Sequence, residues 1–559
     1  MNPEDSDEKM VFGELKDTNP YSQFMGDSVP GGSPPAKLPT PGSPLDSTGY
    51  PQPNYPATEG GYPPAMYPSG YPVYPVTYIP PEPPPGKPEY PPPSSTPGGK
   101  AISGFCFLVI FSVIAIILIL QNFVVPEGTE GTPEGELANL VLQGKVALGV
   151  KAMGDNNPEF GEEQQESFPF GQFGSVRNRQ AGAVMTSELE SAGDGLVVLA
   201  AMEKQAAAVN YEFNEVELQN TETLRQLFSG FPPDQLSESQ RLNLEKELLW
   251  FGELALHPES GDTTNPQRQA LLSNAKSTFV ALVCVVVAGM LALIAGVIGL
   301  IVFAILYTVE KINIRTRWYS RESTIYLESF TIWLLTFMGS SLLFGWLAPE
   351  QNPLVGNLLL FLLSLVTCLC WPVFRGKWSK EFRQDLGFCG NPVREMLVGA
   401  WCYICGLPIL LAGFICTLIF LSAAAPVMTE DDLSATGPGH PLLEWVMQGD
   451  VATLILVYLV ACVCAPVVEE TVFRGFFYRA LRDNSHFLGP FLSMLFAAFV
   501  NGLVFAAIHP QGIYFIPVLC SLGMAFSFAR EWRGSLWAPM TMHAIHNGIL
   551  TTVLVFSIV

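Results

Sequence analysis

The sequence predicts an all-α polytopic membrane protein with about nine transmembrane helices, and three observations carry that reading. The chain has 559 residues, of which 49% are hydrophobic and only 14% charged, and its mean hydropathy is +0.29. Such a composition is too apolar for a soluble multidomain protein and too long for a lone anchor. Apolar runs recur along the second half of the chain. Finally, the acid excess is confined: of a net charge of −22, residues 1–99 carry about −7 and residues 126–275 about −15, leaving the apolar half nearly balanced. That distribution argues against a nucleic-acid partner.

Composition divides the chain further. Residues 1–99 are rich in Pro, Gly, Ser and Tyr and end in "YPPAMYPSGYPVYPVTYIPPEPPPGKPEYPPPSS". They cannot assemble a core, and a disordered cytoplasmic tail with polyproline II character is expected, able to recruit a partner or simply to clear the membrane surface. The start lacks the basic, apolar and cleavage segments of an ordinary signal peptide, so none is expected. Residues 100–125 hold the first span, "AISGFCFLVIFSVIAIILILQNFVV", uninterrupted by charge. Residues 126–275 return to polar character and read as an acidic, mainly helical, extracytoplasmic insert. Residues 276–394 hold three further spans, and residues 395–559 hold the remainder. "CYIC" at 402–405 has redox or metal spacing, but inside an apolar run it reads as buried filler.

The spans after the insert fall near 278–308, 325–348, 354–375, 397–425, 451–470, 488–509, 513–530 and 535–559. Lys and Arg cluster at 310–321, 375–383, 473–483 and 530–534, on every second connection. Basic connections stay on the cytoplasmic side. The N-terminus is therefore expected in the cytoplasm, with the insert and "MTEDDLSATGPGHPLLEW" outside.

One stretch does not suit a simple span. "VVEETVFRG" places Glu469, Glu470 and Arg474 at the end of an apolar helix. A charged side chain at mid-membrane costs about 2.5 to 3.5 kcal/mol on insertion scales, so adjacent glutamates need compensation. Glu470 and Arg474 are i and i+4 and suit an ion pair. Glu469 lies about 100° round the helix and is left available. The helix should continue to about Leu481 to keep these groups within the membrane. Three histidines follow on later helices. His509 ends "FVNGLVFAAIHP", one turn after Phe505; His543 opens "HAIHN", one turn before Asn547, with His546 between them. A carboxylate, imidazoles and a carboxamide on successive spans are hard to explain as packing, because lipid supplies no partners.

"EETVFR", "FAAIH" and "HAIHN", in that order and with "GSLWAPMTMH" leading into the last, resemble the motifs of the CAAX prenyl protease and bacteriocin-processing (CPBP, Abi) family of intramembrane proteases. The resemblance covers roughly residues 395–559 and implies a C-terminal helical bundle of that type. It implies an endopeptidase acting on a membrane-associated protein or peptide, with an active site opening to the cytoplasmic side. Carried over by position, Glu469 is expected to activate water with help from His509, while His543 and Asn547 stabilise the oxyanion. Glu470 belongs to the same catalytic set; Arg474, Phe505 and His546 shape it. Amide hydrolysis needs such a base and such donors.

The sequence leaves the cofactor open. Glu469, His509 and His543 could ligate a divalent metal such as zinc with water in fourth position, although no H-E-x-x-H is present. A metal-free glutamate mechanism uses the same residues. The alternatives to a protease are a catalytically silent membrane scaffold or immunity-type protein of the same fold, and a proton-coupled transporter. The last would call for repeated halves with broken helices, which the sequence does not display.

Overall fold

In the computed structural model, residues 97–123, 133–154, 175–208, 210–259, 265–312, 323–347, 353–424, 446 and 450–558 are described. The Pro/Tyr-rich tail before residue 97 and the segment at 428–445 lie outside them. Every regular element among the described residues is helical. In chain order they are α1 (Pro97–Phe123), α2 (Pro133–Gly154), α3 (Val176–Leu189), α4 (Ala192–Ala208), α5 (Glu215–Phe228), α6 (Glu238–Leu248), α7 (Trp250–Leu256) and α8 (Pro266–Thr308). They continue with α9 (Ser323–Leu347), α10 (Pro353–Phe374), α11 (Lys380–Leu386), α12 (Pro392–Ala424), α13 (Val451–Asn484), α14 (Pro490–Ala507), α15 (Ile516–Arg533) and α16 (Trp537–Ile558).

Among the described residues seven helices are long and apolar enough to cross a membrane. The chain is an integral multi-pass membrane protein. The expected count of about nine is not reached: the apolar part of α10 is the shorter Leu358–Phe374, and α16 carries His543, His546 and Asn547 in its interior and is not among the seven. All eleven cysteines are free thiols.

Helices α2–α7 close around a core of their own that includes Leu137, Val184, Met185, Leu224, Leu248 and Leu254. Helix α8 joins this core through Leu271 and Ala275 and then runs on as an apolar span. Its 43 residues measure about 65 Å at 1.5 Å per residue, roughly twice the hydrocarbon thickness. One uninterrupted rod therefore serves both the polar helices and the membrane bundle. Its N-terminal turns are clamped by Arg268, which makes 2.7 and 3.1 Å bonds to both carboxylate oxygens of Glu188 and a 2.8 Å bond to the His257 carbonyl.

Lys145 of α2 is 2% exposed, and burial pushes its ammonium down to about 8, with the nearby Glu253 charge opposing the shift. Between pH 8 and the ordinary lysine value of 10.5 the unfolded chain holds a proton that the folded one has released. Stability of these helices should therefore rise with pH across that window and be lowest below it. Hydrogen-exchange protection of helices α2–α7, corrected for intrinsic rates, should increase from pH 8 to 10 in the wild type and stay level in Lys145→Met.

The membrane bundle is built around α13. Its C-terminal half rests on an aromatic layer: Phe330 of α9 stacks on Phe477 at 4.2 Å, and Phe330 and Trp333 each meet Phe473 edge-on at 5.5 Å. Small residues set the remaining crossings. A Cβ on Gly502 of α14 would lie 2.5 Å from the Cys520 carbonyl of α15, and one on Gly399 of α12 would lie 2.6 Å from the Ala538 carbonyl of α16. Backbones approach this closely only where side chains are absent, which is how helices gain van der Waals contact in lipid.

The basic residues of 473–483 and 530–534, counted above as connections, sit in helices, and Arg474, Arg479, Arg482 and Arg530 are buried. Arg482 bonds both oxygens of Glu531 at 2.7 and 3.2 Å, and Tyr478 donates to the same carboxylate at 2.7 Å. Arg533 grips Glu395 at 2.6 and 2.8 Å. These arginines hold α12, α13 and α15 together by ion pairs.

Candidate active site

Helix α13 is not uniformly α-helical. It widens to π geometry at Val460–Cys464, returns to α geometry at Ala465–Glu470, and widens again at Thr471–Phe477. Pro466 explains the first widening: proline has no N–H and its ring collides with the carbonyl four residues back, so the preceding turn must loosen. Glu469 and Glu470 thus occupy a short α turn held between two π segments. The helix runs on to Asn484.

Glu470 is fully buried, and its Oε1 accepts from Arg474 Nη1 at 2.9 Å and from His543 Nδ1 at 2.9 Å. Arg474, also fully buried, uses Nη2 to donate to the Gly523 carbonyl at 2.9 Å. Its guanidinium lies 4.7 Å from the Phe505 ring centre and 5.1 Å from that of Phe526, so aromatic faces complete its surroundings. Glu469 faces elsewhere. Its Oε2 is buried, accepts no hydrogen bond, and lies 3.9 Å from His509 Nε2 and 3.9 Å from His543 Nε2.

The two imidazoles present the same nitrogen to Glu469 but are backed differently. His509 Nδ1 lies 2.6 Å from the Phe505 carbonyl, which can only accept, so that nitrogen carries the proton. His543 Nδ1 carries its proton toward the Glu470 carboxylate by the same reasoning. At Nδ1, His543 meets the Glu470 carboxylate and His509 the Phe505 carbonyl, while both rings face the Glu469 carboxylate through Nε2. Phe526 stacks on His543 at 5.2 Å and Phe505 meets it edge-on at 5.9 Å, fixing the ring from two sides. His509 is the most accessible of the three, with 21% of its side chain exposed against 11% for Glu469 and 4% for His543.

Glu469, Glu470, Arg474, Phe505, His509 and His543 therefore form one set of contacts. Two residues of the motifs make their polar contacts outside it. His546 Nδ1 lies 3.3 Å from the Tyr403 hydroxyl of α12, and Asn547 Nδ2 donates to the Ala461 carbonyl at 2.8 Å. Sequence reasoning did not single out Phe526, Gly523 or Gly502. A Cβ on Gly523 would lie 2.8 Å from Gly502 Cα and 3.2 Å from Arg474 Nη2. Gly523→Ala should therefore displace Arg474 from the carbonyl it holds, with a stability loss of about 1–3 kcal/mol in thermal unfolding.

The donor set Glu469, His509 and His543 is of a kind that binds zinc, but the placement is looser than a zinc site. Tetrahedral bonds of about 2.0–2.1 Å put ligand atoms about 3.3 Å apart, whereas the nitrogens stand 3.9 Å from Glu469 Oε2. Among the described residues no group of three or more His, Cys, Asp or Glu is arranged to hold a metal ion.

Comparison with known proteins places this geometry in context. Residues 451–549, which contain the whole contact set, match the family described as Type II CAAX prenyl endopeptidase Rce1-like. The chain is 27% identical over 148 residues to "Membrane-embedded CAAX protease MroQ" of Staphylococcus aureus (strain USA300), covering 26% of this chain and 56% of MroQ. It is 23% identical over 92 residues to "Putative membrane peptidase YdiL" of Bacillus subtilis (strain 168), covering 16% of this chain and 34% of YdiL. The chain thus spans about half the length of the first relative and a third of the second. No solved structure matches it.

Proposed function

Since residues 451–549 form an Rce1-like CAAX prenyl endopeptidase domain, we propose that the chain is an intramembrane endopeptidase that hydrolyses a peptide bond in a membrane-associated protein or peptide. The observation that carries this reading is the buried, unpartnered Oε2 of Glu469 facing two imidazole nitrogens at 3.9 Å each. That separation is too long for a direct hydrogen bond and short enough for a water oxygen to bridge Glu469 to an imidazole.

In this mechanism Glu469 takes the proton from water as its oxygen attacks the scissile carbonyl. His509, its tautomer fixed by the Phe505 carbonyl, orients that water through Nε2. His543 meets the developing oxyanion, and Glu470 stands behind it as the partner of the charged ring. Glu469 then returns the proton to the leaving amine. Arg474 holds Glu470 and through it His543. The site is expected to open toward the cytoplasm, on the side marked by the basic connections at 310–321 and 375–383.

The test is a comparison of peptide termini in the membrane proteome between cells carrying the wild type and cells carrying Glu469→Gln, which removes the base while nearly preserving shape. New termini in the wild type that vanish in the variant support the proposal. Identical termini in both, with a normal phenotype in the variant, would assign the fold to a scaffold.

A further inference from the structure

Pro466 leaves a second mark on α13 that reaches Asn547. In the π segment Val460–Cys464 the Ala465 N–H donates to the Val460 carbonyl, five residues back. The Ala461 carbonyl has thereby lost its α-helical donor, which would be Ala465, to its neighbour. Its donor in π register would be residue 466, and that residue is proline, without an N–H. This carbonyl is orphaned within the helix by the sequence itself. A backbone carbonyl left without a donor away from water costs several kcal/mol in a membrane. Asn547 Nδ2, reaching from α16, donates to it at 2.8 Å.

From this geometry we infer that Asn547 is a positioning residue, which fixes the π register of α13 by satisfying the carbonyl that Pro466 orphans, and so sets the angle at which Glu469 and Glu470 are presented. The consequence follows from helix geometry. Each residue turns a helix by about 100° in α form and by less in π form, so a turn that relaxes from one to the other rotates everything beyond it. Glu469 and Glu470 lie five to ten residues downstream of Val460–Cys464. Moreover, α16 carries both Asn547 and His543. One helix therefore supplies an imidazole to the glutamates and pins the turn that aims them. The inference builds on the proposed protease site for its consequence, but the carbonyl accounting stands without it.

The experiment is a double-mutant cycle on the full chain in detergent micelles with Asn547→Ala, Pro466→Ala and the pair. An alanine at 466 restores an N–H that can donate to Ala461 in place of the carboxamide. Asn547→Ala alone should lower the unfolding midpoint by several degrees, and in the Pro466→Ala background it should cost less than half as much. Equal costs in both backgrounds, or none in either, would overturn the inference. The second readout is turnover of a quenched farnesylated peptide ending in a Cys-aliphatic-aliphatic-X sequence. If Asn547 acts through the helix, Asn547→Ala should lower kcat at least tenfold with little change in KM, and the double variant should recover most of it. Recovered stability without recovered turnover would make Asn547 a direct oxyanion donor and overturn the positioning role. Absence of wild-type turnover on the peptide would count against the protease reading or this substrate, and the stability cycle would still decide the role of Asn547.

Discussion

Arg474→Met is expected to destabilise the protein by about 3–5 kcal/mol, the cost of stranding a buried charge. Glu470 and Arg474 are both fully buried, and their 2.9 Å contact leaves no water to take over if one partner is lost. The variant would leave Glu470 with His543 alone and free the Gly523 carbonyl, two losses from one substitution. Glu470→Leu should cost a similar amount, because Arg474 would then be the stranded charge. The double variant Glu470→Leu with Arg474→Met should cost less than either single change, since an apolar pair of similar volume needs no desolvation. Urea or thermal unfolding of the full chain in micelles reads all three. A single Arg474→Met within 1 kcal/mol of the wild type would mean that this pair does not hold the site.

Much of this pair was legible in the sequence because it depends only on helical spacing. Glu470 and Arg474 are i and i+4, so one turn of helix brings them together whatever the tertiary fold. The link from Glu470 to His543 was not legible: it joins residues 73 apart in the chain, and only the crossing of α13 with α16 supplies it. The same limit applies to Phe526, whose phenyl ring reads in sequence as one of many apolar residues of a span. The crossing of Gly502 with Gly523 is likewise invisible in a chain with 50 glycines, since only the packed backbones reveal which of them a Cβ would disturb.

Other readings turned on the assumption that charge marks the ends of spans. Arg479, Arg482 and Arg530 looked like connecting-loop cations, yet they are buried in helices, where neighbouring helices offer carboxylates and carbonyls in place of water. Positive charge reports orientation only where it is free, and a sequence does not say which arginines are committed to ion pairs. The π segments of α13 are a middle case. Pro466 announces a disturbed turn, but whether a proline kinks, breaks or widens a helix is decided by what packs around it. In this chain the Asn547 carboxamide contacts that turn, and a carboxamide one turn after a histidine was read from the motif as part of the chemistry.

The chemistry should fail as a unit. Glu469→Gln, His509→Ala and His543→Gln are each expected to lower kcat by about 10²–10⁴-fold, the range for loss of a positioned base or oxyanion donor. Glu469 of α13, His543 of α16 and His509 in the turn after α14 come together with Glu469 Oε2 at 3.9 Å from both rings. Removing any one leaves no geometry for the other two to exploit. The double variant of His509→Ala with His543→Gln should therefore be no more than about tenfold slower than the worse single variant, far from the product of the two losses. His509 is the more exposed ring and its Nδ1 meets a carbonyl, not a buried carboxylate, so its loss should lower the unfolding midpoint less than the loss of His543. Loss of His543 also removes a donor to buried Glu470 and the ring stacked on Phe526, so that variant should be measurably less stable as well as slower. Purified variants compared for turnover of the farnesylated peptide and for thermal unfolding separate the two effects. Multiplicative losses in the double variant would mean that the histidines act at different steps, and the joint action of the three groups would have to be abandoned.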